Sequence, residues 1–183
     1  MKILESSIFK DVFQIIPNIY SDSRGFFYES YNQKNFYKLR SLKKIIFVQD
    51  NLSKSKKGVL RGLHYQLKPY EQAKLITVLR GKIFDVVVDI RKNSKTFGKW
   101  ESFLLSSEDR NQLFIPEGFA HGFLSMEDDT EVFYKANKFY SPEHERHIIF
   151  SDPDLNIFWP NDKKIICSKK DRKFNFFKDM EFI

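Results

Sequence analysis

The sequence predicts an all-β protein, an antiparallel barrel or jelly roll with a few short peripheral helices, on three observations. Aromatic residues are abundant, with 20 Phe and 8 Tyr in 183 residues, and such side chains suit pleated, half-buried surfaces where they pack across strands. From Gln49 to Asn137 the apolar runs are short, rich in Val, Ile, Phe and Leu, and interrupted by Gly, Pro, Asn or Ser, the rhythm of successive strands and turns. Only two stretches carry helical signals, and both are short.

Taken in chain order, Gln33 to Leu42 places Phe36, Leu39 and Arg40 at helical spacing. Val59 to Gln66 reads as a strand. Leu75 to Leu79, the turn Arg80-Gly81 and Ile83 to Ile90 read as a hairpin, with Asp85 and Asp89 on one face of its second strand because side chains alternate with period two. Lys99 to Leu105, Gln112 to Ile115, Phe119 to Met126 and Glu131 to Ala136 supply further strands, and Pro116-Glu117-Gly118 marks a turn between two of them. Ser168 to Phe177 opens with Ser-x-x-Asp, a helix-start signature. No repeat, low-complexity tract or Gly/Ser linker divides the chain, so residues 1–183 are expected to form one domain.

Cys167 is the only cysteine, which excludes an intramolecular disulfide and any zinc site of the paired-cysteine type and fits a reducing compartment. Met1 to Phe13 carries Glu5 and Asp11 and lacks the apolar stretch of a signal peptide, and no segment approaches the length of a membrane span. The expected location is the cytoplasm, without membrane contact. The net charge is +7, yet the basic residues are scattered among Asp and Glu as on an ordinary solvated surface. No contiguous cationic face with exposed aromatics points to nucleic acid.

Of the four histidines, His64 has the most suggestive surroundings: it follows Arg61 by three positions and precedes Lys74 by ten. Odd spacing puts Arg61 and His64 on opposite faces of a regular strand, so a shared cavity needs a local irregularity, which Gly62 can supply. Spacing alone favours a structural histidine beside two ordinary cations over a functional one. Small β-barrels often hold a metal through His-x-His, but Gln66 stands at the second position. A gathering of His64, Glu71 and His121 around an ion would be opposed by the neighbouring Lys74, so no metal is expected. Gly-rich phosphate loops and a Gly-x-Ser-x-Gly nucleophile elbow are absent.

A specific set of ordered segments remains. It comprises Arg24-Gly25-Phe26-Phe27-Tyr28-Glu29, Gln49-Asp50-Asn51, Gly58 through Gln66 (Gly-Val-Leu-Arg-Gly-Leu-His-Tyr-Gln) and Ala73-Lys74-Leu75. Asp85 through Arg91, Ile115 through Phe123, Tyr134-Lys135, Tyr140-Ser141-Pro142 and Trp159-Pro160 continue it. Along nearly its whole length the chain thereby resembles the dTDP-4-dehydrorhamnose 3,5-epimerase family. The resemblance implies a cupin-like jelly roll, a homodimer with exchanged strands, no cofactor, and a step in making dTDP-L-rhamnose for cell-surface polysaccharide.

The implied chemistry suits the residues. A ketone at C4 of the sugar acidifies the protons on C3 and C5, and removing either makes an enolate. The reaction needs a base effective near neutrality, a positive group for the oxyanion, and an acid on the opposite face. By resemblance these are His64, Lys74 and Tyr134, with Asp171 the carboxylate that orients the histidine, as in hydrolase triads. Asp171 reaches His64 only if the C-terminal segment folds back over the barrel mouth. Locally, Lys74 reads as a surface charge, Tyr134 as a cross-strand aromatic and Asp171 as a helix-capping residue.

For the dTDP-linked 4-keto-6-deoxy sugar, the resemblance implies binding by Arg24, Glu29, Gln49, Asp50, Asn51, Arg61, His121, Glu145 and Lys170, with Tyr140 stacked on thymine. Arg24, Arg61 and Lys170 suit a diphosphate. Two positions depart from the family pattern: His147 stands where Gly is common and Phe150 where Trp is common. His144 and His147 read as surface or loop histidines, and neither departure is expected to touch the catalytic set. Two alternatives stay open: a mono-epimerase acting at C3 or C5 of a related nucleotide sugar, and a non-catalytic sugar-nucleotide-binding cupin.

Overall fold

The computed structural model describes residues 1–39, 45–160, 164–169, 171–172 and 175–182. Its strands are β1 (Lys2–Glu5), β2 (Phe13–Ile16), β3 (Tyr20–Asp22), β4 (Gly25–Phe27), β5 (Gln49–Ser55), β6 (Leu60–Gln66) and β7 (Lys74–Arg80). They continue as β8 (Lys82–Asp89), β9 (Trp100–Ser106), β10 (Gln112–Ile115), β11 (Phe119–Ser125), β12 (Thr130–Ala136) and β13 (Glu145–His147). A six-stranded sheet in the order β1-β2-β10-β7-β12-β5 faces a five-stranded sheet in the order β13-β6-β11-β8-β9, and β3 and β4 form a separate ribbon. The all-β jelly-roll prediction holds.

Period-two alternation sorts the side chains into three apolar layers. Between the sheets, Ile76 and Val78 of β7, Ile83 and Val87 of β8 and Phe119 and Phe123 of β11 share one cluster. Intervening residues such as Val86, Val88 and Ala120 point out of the five-stranded sheet, where Leu155, Trp159 and the C-terminal segment cover them. This second cover explains why every residue of β11 is buried. Phe36 and Leu39 cover the outer face of the six-stranded sheet over Phe13, Leu75 and Phe114. Each such large apolar side chain contributes about 1.5–3 kcal/mol on burial.

Three local expectations are corrected. The strands around Arg80-Gly81 are not a hairpin: β7 pairs with β10 and β12, whereas β8 pairs with β11 and β9. The chain arches from one sheet to the other there, with Gly81 at φ +78° against Thr130. The helix expected from Gln33 is one turn, Gln33–Phe36, capped by the Asn32 side chain, and residues 40–44 lie outside the described part. Among the described residues of Ser168 to Phe177 no α-helix forms. Ser168 Oγ does accept from the Asp171 N–H at 3.0 Å, so the helix-start bond is made, but the Asp171 carboxylate is taken up by His64.

The irregularity asked of Gly62 is present. Arg61 pairs with Phe123 and His64 with His121, so Gly62 and Leu63 together oppose Gly122. This bulge turns Leu63 into the outer apolar cluster and brings Arg61 and His64 to the same cavity. Gly62 has φ +123°, and a Cβ there would lie 2.5 Å from Gly122 Cα. Gly62→Ala is therefore expected to destabilise the fold by more than the ~1–3 kcal/mol of backbone strain alone, measured as a lowered midpoint in urea unfolding.

Candidate active site

Six strands deliver polar side chains to the space between the sheets. Lys74 ends the row that continues as Ile76 and Val78 along β7. Tyr134 stands beside it on β12, with the Lys74 ammonium 5.9 Å from its ring centre. From the opposite sheet come Arg61 and His64 of β6, Asp85 of β8, His121 of β11, and Glu145 and His147 of β13. A cavity of about 330 Å³ is lined by His64, Lys74, Tyr134 and Asp171 together with Arg61 and His121. A second recess, which His64, Lys74, Tyr134 and Glu145 also border, extends toward Tyr140.

The C-terminal segment folds back over this mouth. Asp171, 107 positions beyond His64, accepts a hydrogen bond from His64 Nε2 at 3.0 Å, and Ser168 Oγ donates to its other oxygen at 2.7 Å. Burial raises the Asp171 pKa, but the bonds from His64 and Ser168 outweigh it and hold the carboxyl below its ordinary value. The carboxylate is therefore ionised at neutral pH and fixes one ring nitrogen of His64 as the donor. The other nitrogen is then the basic one.

Burial brings Lys74 down to about 8, against the opposing pull of Asp85 and Glu145, so it remains mostly protonated at pH 7. Asp85 is fully buried and accepts from His121 Nε2 at 2.9 Å. Burial raises its pKa, with His121 and Lys74 opposing. Tyr134 is likewise raised, chiefly by burial, and stays a phenol at neutral pH. Sequence reading passed over Asp85 as a site residue. The signal was its place on the same face of β8 as the inward Val87.

The residues expected to hold the nucleotide are placed unevenly. Gln49 and Asn51 of β5 are bonded to each other at 3.0 Å and stand opposite Ala136 and Tyr134, and Gln49 Oε1 accepts from the Tyr140 N–H at 2.9 Å. The Tyr140 hydroxyl donates to Glu145 Oε2 at 3.0 Å. Arg61 borders the cavity while donating to Ser55 Oγ at 3.1 Å. Asp50 alternates to the other face of β5 and pairs with Lys135 Nζ at 3.0 Å. Arg24 lies on the β3–β4 ribbon, its side chain 87% exposed and paired with Asp22, and Glu29 is bonded to Asn32 and Asn35. Neither lines the cavity within this chain. Lys170 lies outside the described residues.

Two expectations about histidine fail. His147 is neither on the surface nor remote from His64: it lies on β13 directly opposite it, the two rings meeting edge to face with centroids 4.7 Å apart. The short polar run Glu-Arg-His has no apolar alternation to mark it as a strand, and its place is set by pairing with β6. In the trio weighed and set aside for a metal, His121 is bonded to Asp85 and Glu71 to Lys138 at 3.4 Å. His144 does lie in a loop, in the turn Pro142–His144. Phe150 packs in the outer cluster and accepts from the Trp159 indole through its carbonyl at 2.9 Å.

Residues 6–179 match the family described as dTDP-4-dehydrorhamnose 3,5-epimerase. The chain is 52% identical over 169 residues to the dTDP-4-dehydrorhamnose 3,5-epimerase of Shigella flexneri, covering 92% of each. Its fold is similar to the crystal structure of the Elizabethkingia anophelis enzyme of that name, at TM-score 0.93, 44% identity, and coverage of 100% of this chain and 99% of the other. It is also similar to the dTDP-6-deoxy-D-glucose-3,5-epimerase of Legionella pneumophila, solved in complex with dTDP-4-keto-L-rhamnose, at TM-score 0.94 and 43% identity over 98% and 94% of the two chains. With this identity sustained over nearly its full length, the chain belongs to the dTDP-4-dehydrorhamnose 3,5-epimerase family.

Proposed function

We propose that this protein epimerises C3 and C5 of dTDP-4-dehydro-6-deoxy-D-glucose to give dTDP-4-dehydro-L-rhamnose, in dTDP-L-rhamnose biosynthesis. The observation that carries the reading is the placement of His64 and Tyr134 on opposite sheets around one cavity, with Lys74 beside Tyr134. A sugar bound between the sheets has the base on one face and a phenol on the other. His64 takes the proton from the carbon next to the ketone. The electron pair moves to the C4 oxygen, where the Lys74 ammonium stabilises the enolate, and Tyr134 returns a proton from the far face. Asp171 stabilises the imidazolium formed in the first step.

The Tyr134 assignment has its own test. Tyr134→Phe keeps the ring and removes the acid, so product formation is expected to fall by about 10²–10⁴-fold while His64 still exchanges substrate protons with solvent, with retention of configuration. Proton NMR in heavy water separates the two rates. A variant that inverts both centres at the normal rate would assign the acid elsewhere. A mono-epimerase would give wild-type product inverted at one carbon only.

Residues 1–183 form one domain in this reading, built on the two facing sheets, and the protein works in the cytoplasm without a cofactor. Among the described residues no helix is long and apolar enough to cross a membrane. A homodimer with exchanged strands is supported by the β3–β4 ribbon. It presents Phe27, 69% exposed, and Tyr20, 64% exposed, together with Arg24, more apolar surface than a ribbon in water gains from exposing. Docked on a second copy, this ribbon would bring Arg24 to the partner's diphosphate.

A further inference from the structure

On the cavity-facing side of β6 and β13, His64 meets two side chains, Glu145 and His147, that have no part in the proposed proton transfers. His147 and His64 form a cross-strand pair of the non-hydrogen-bonded kind, because the backbone bonds are exchanged one step along, between Leu63 and Ile148. Side chains approach most closely at such pairs. Glu145 precedes His147 by two positions, which puts it on the same face of β13, and its Oε2 lies 3.2 Å from His147 Nε2. One potential ligand atom from each of His64, Glu145 and His147 lies within 4.8 Å of the other two.

We propose that His64, Glu145 and His147 bind a divalent transition-metal ion of the zinc type, and that the bound ion blocks the base. Two imidazoles and one carboxylate form a three-protein-ligand zinc set, whose fourth position would face the cavity. Imidazole donors favour zinc-type ions over magnesium or calcium. Bonds of ~2.0–2.1 Å in a tetrahedron place ligand atoms about 3.3 Å apart, the spacing that Glu145 and His147 already have, and torsion of the His64 ring closes the rest. Asp171 holds His64 Nε2 and is itself held by Ser168, so His64 would ligate through Nδ1. This is the outer carboxylate that orients a ligating histidine and strengthens it as a donor. Lys74 opposes the ion, and the Asp85 carboxyl attracts the Lys74 ammonium.

The ion would be an inhibitor and not a cofactor, because it occupies the nitrogen that takes the substrate proton. That consequence rests on the proposed function; the binding itself does not. Calorimetric titration of the metal-free full chain with Zn²⁺ is expected to show one ion per chain. His147→Asn, with circular dichroism and unfolding midpoint like the wild type, is expected to weaken it at least about tenfold, and Asp171→Asn by about 10–100-fold. Absence of saturable binding, or equal binding by His147→Asn, overturns the site. In turnover assays Zn²⁺ inhibits the wild type, EDTA restores it, and His147→Asn resists. Zinc that binds through His147 yet leaves turnover unchanged overturns the blocking role. Binding in a chain with no turnover at all supports the site and sinks the epimerase reading instead.

Discussion

His64→Ala is expected to abolish deuterium incorporation at both C3 and C5 of the substrate, slowing proton abstraction by about 10²–10⁴-fold, while dTDP still binds. The effect should be this large because the base acts only in the chemical step, and its removal leaves Arg61, Gln49 and Tyr140 in place. Both positions should fail together, since His64, oriented by the ionised carboxylate of Asp171, lines the cavity from the sheet opposite Tyr134 and is the base for both carbons. The other cavity histidines are engaged differently, His121 with Asp85 and His147 with Glu145. Normal exchange in His64→Ala would move the base elsewhere. Exchange lost at one carbon only would mean that a second base serves the other.

Lys74→Met carries the second large effect. Methionine keeps the length and apolar stem of the side chain and removes the charge, so kcat should fall by about 10²–10³-fold, as for loss of one oxyanion-stabilising group. The same residue sets an alkaline limit. Burial lowers Lys74 to about 8, so its charge is present below that pH and lost above it, and kcat/KM should decline as pH rises through about 8. Lys74→Arg retains the charge throughout and should lack this limb even if its maximal rate is lower. A wild-type profile flat to pH 10 would remove Lys74 from the oxyanion role.

These assignments were legible in the sequence to different depths. Central strands such as Gln112 to Ile115 could be read because apolar runs bounded by turn residues have few other uses, and β10 has those bounds. The arch at Arg80-Gly81 could not, since a hairpin and a sheet-to-sheet crossing share the same local glycine turn, and only pairing with distant β10 and β11 decides between them. The demand for a bulge at Gly62 followed from parity alone, and the bulge is there.

The site was less legible than the fold. No periodicity links His64 to Asp171 across 107 positions; the family resemblance did, and the fold brings the two side chains together. His147 escaped because its strand is three polar residues whose orientation is set by β6. Arg24 and Glu29 matched the family motif yet lie outside the cavity of this chain, because motif order says nothing about where a loop or ribbon residue ends up in space. Asp50 is turned away by the alternation that brings Gln49 and Asn51 toward Tyr140 and Tyr134.

Epimerisation at both centres requires proton transfer at the two carbons flanking one ketone within one cavity. Wild-type protein incubated with dTDP-4-dehydro-6-deoxy-D-glucose in heavy water should incorporate deuterium at both C3 and C5, counted by mass spectrometry and placed by NMR. Deuterium at one carbon alone would contradict the double epimerisation, and deuterium at neither would contradict the enzyme reading itself.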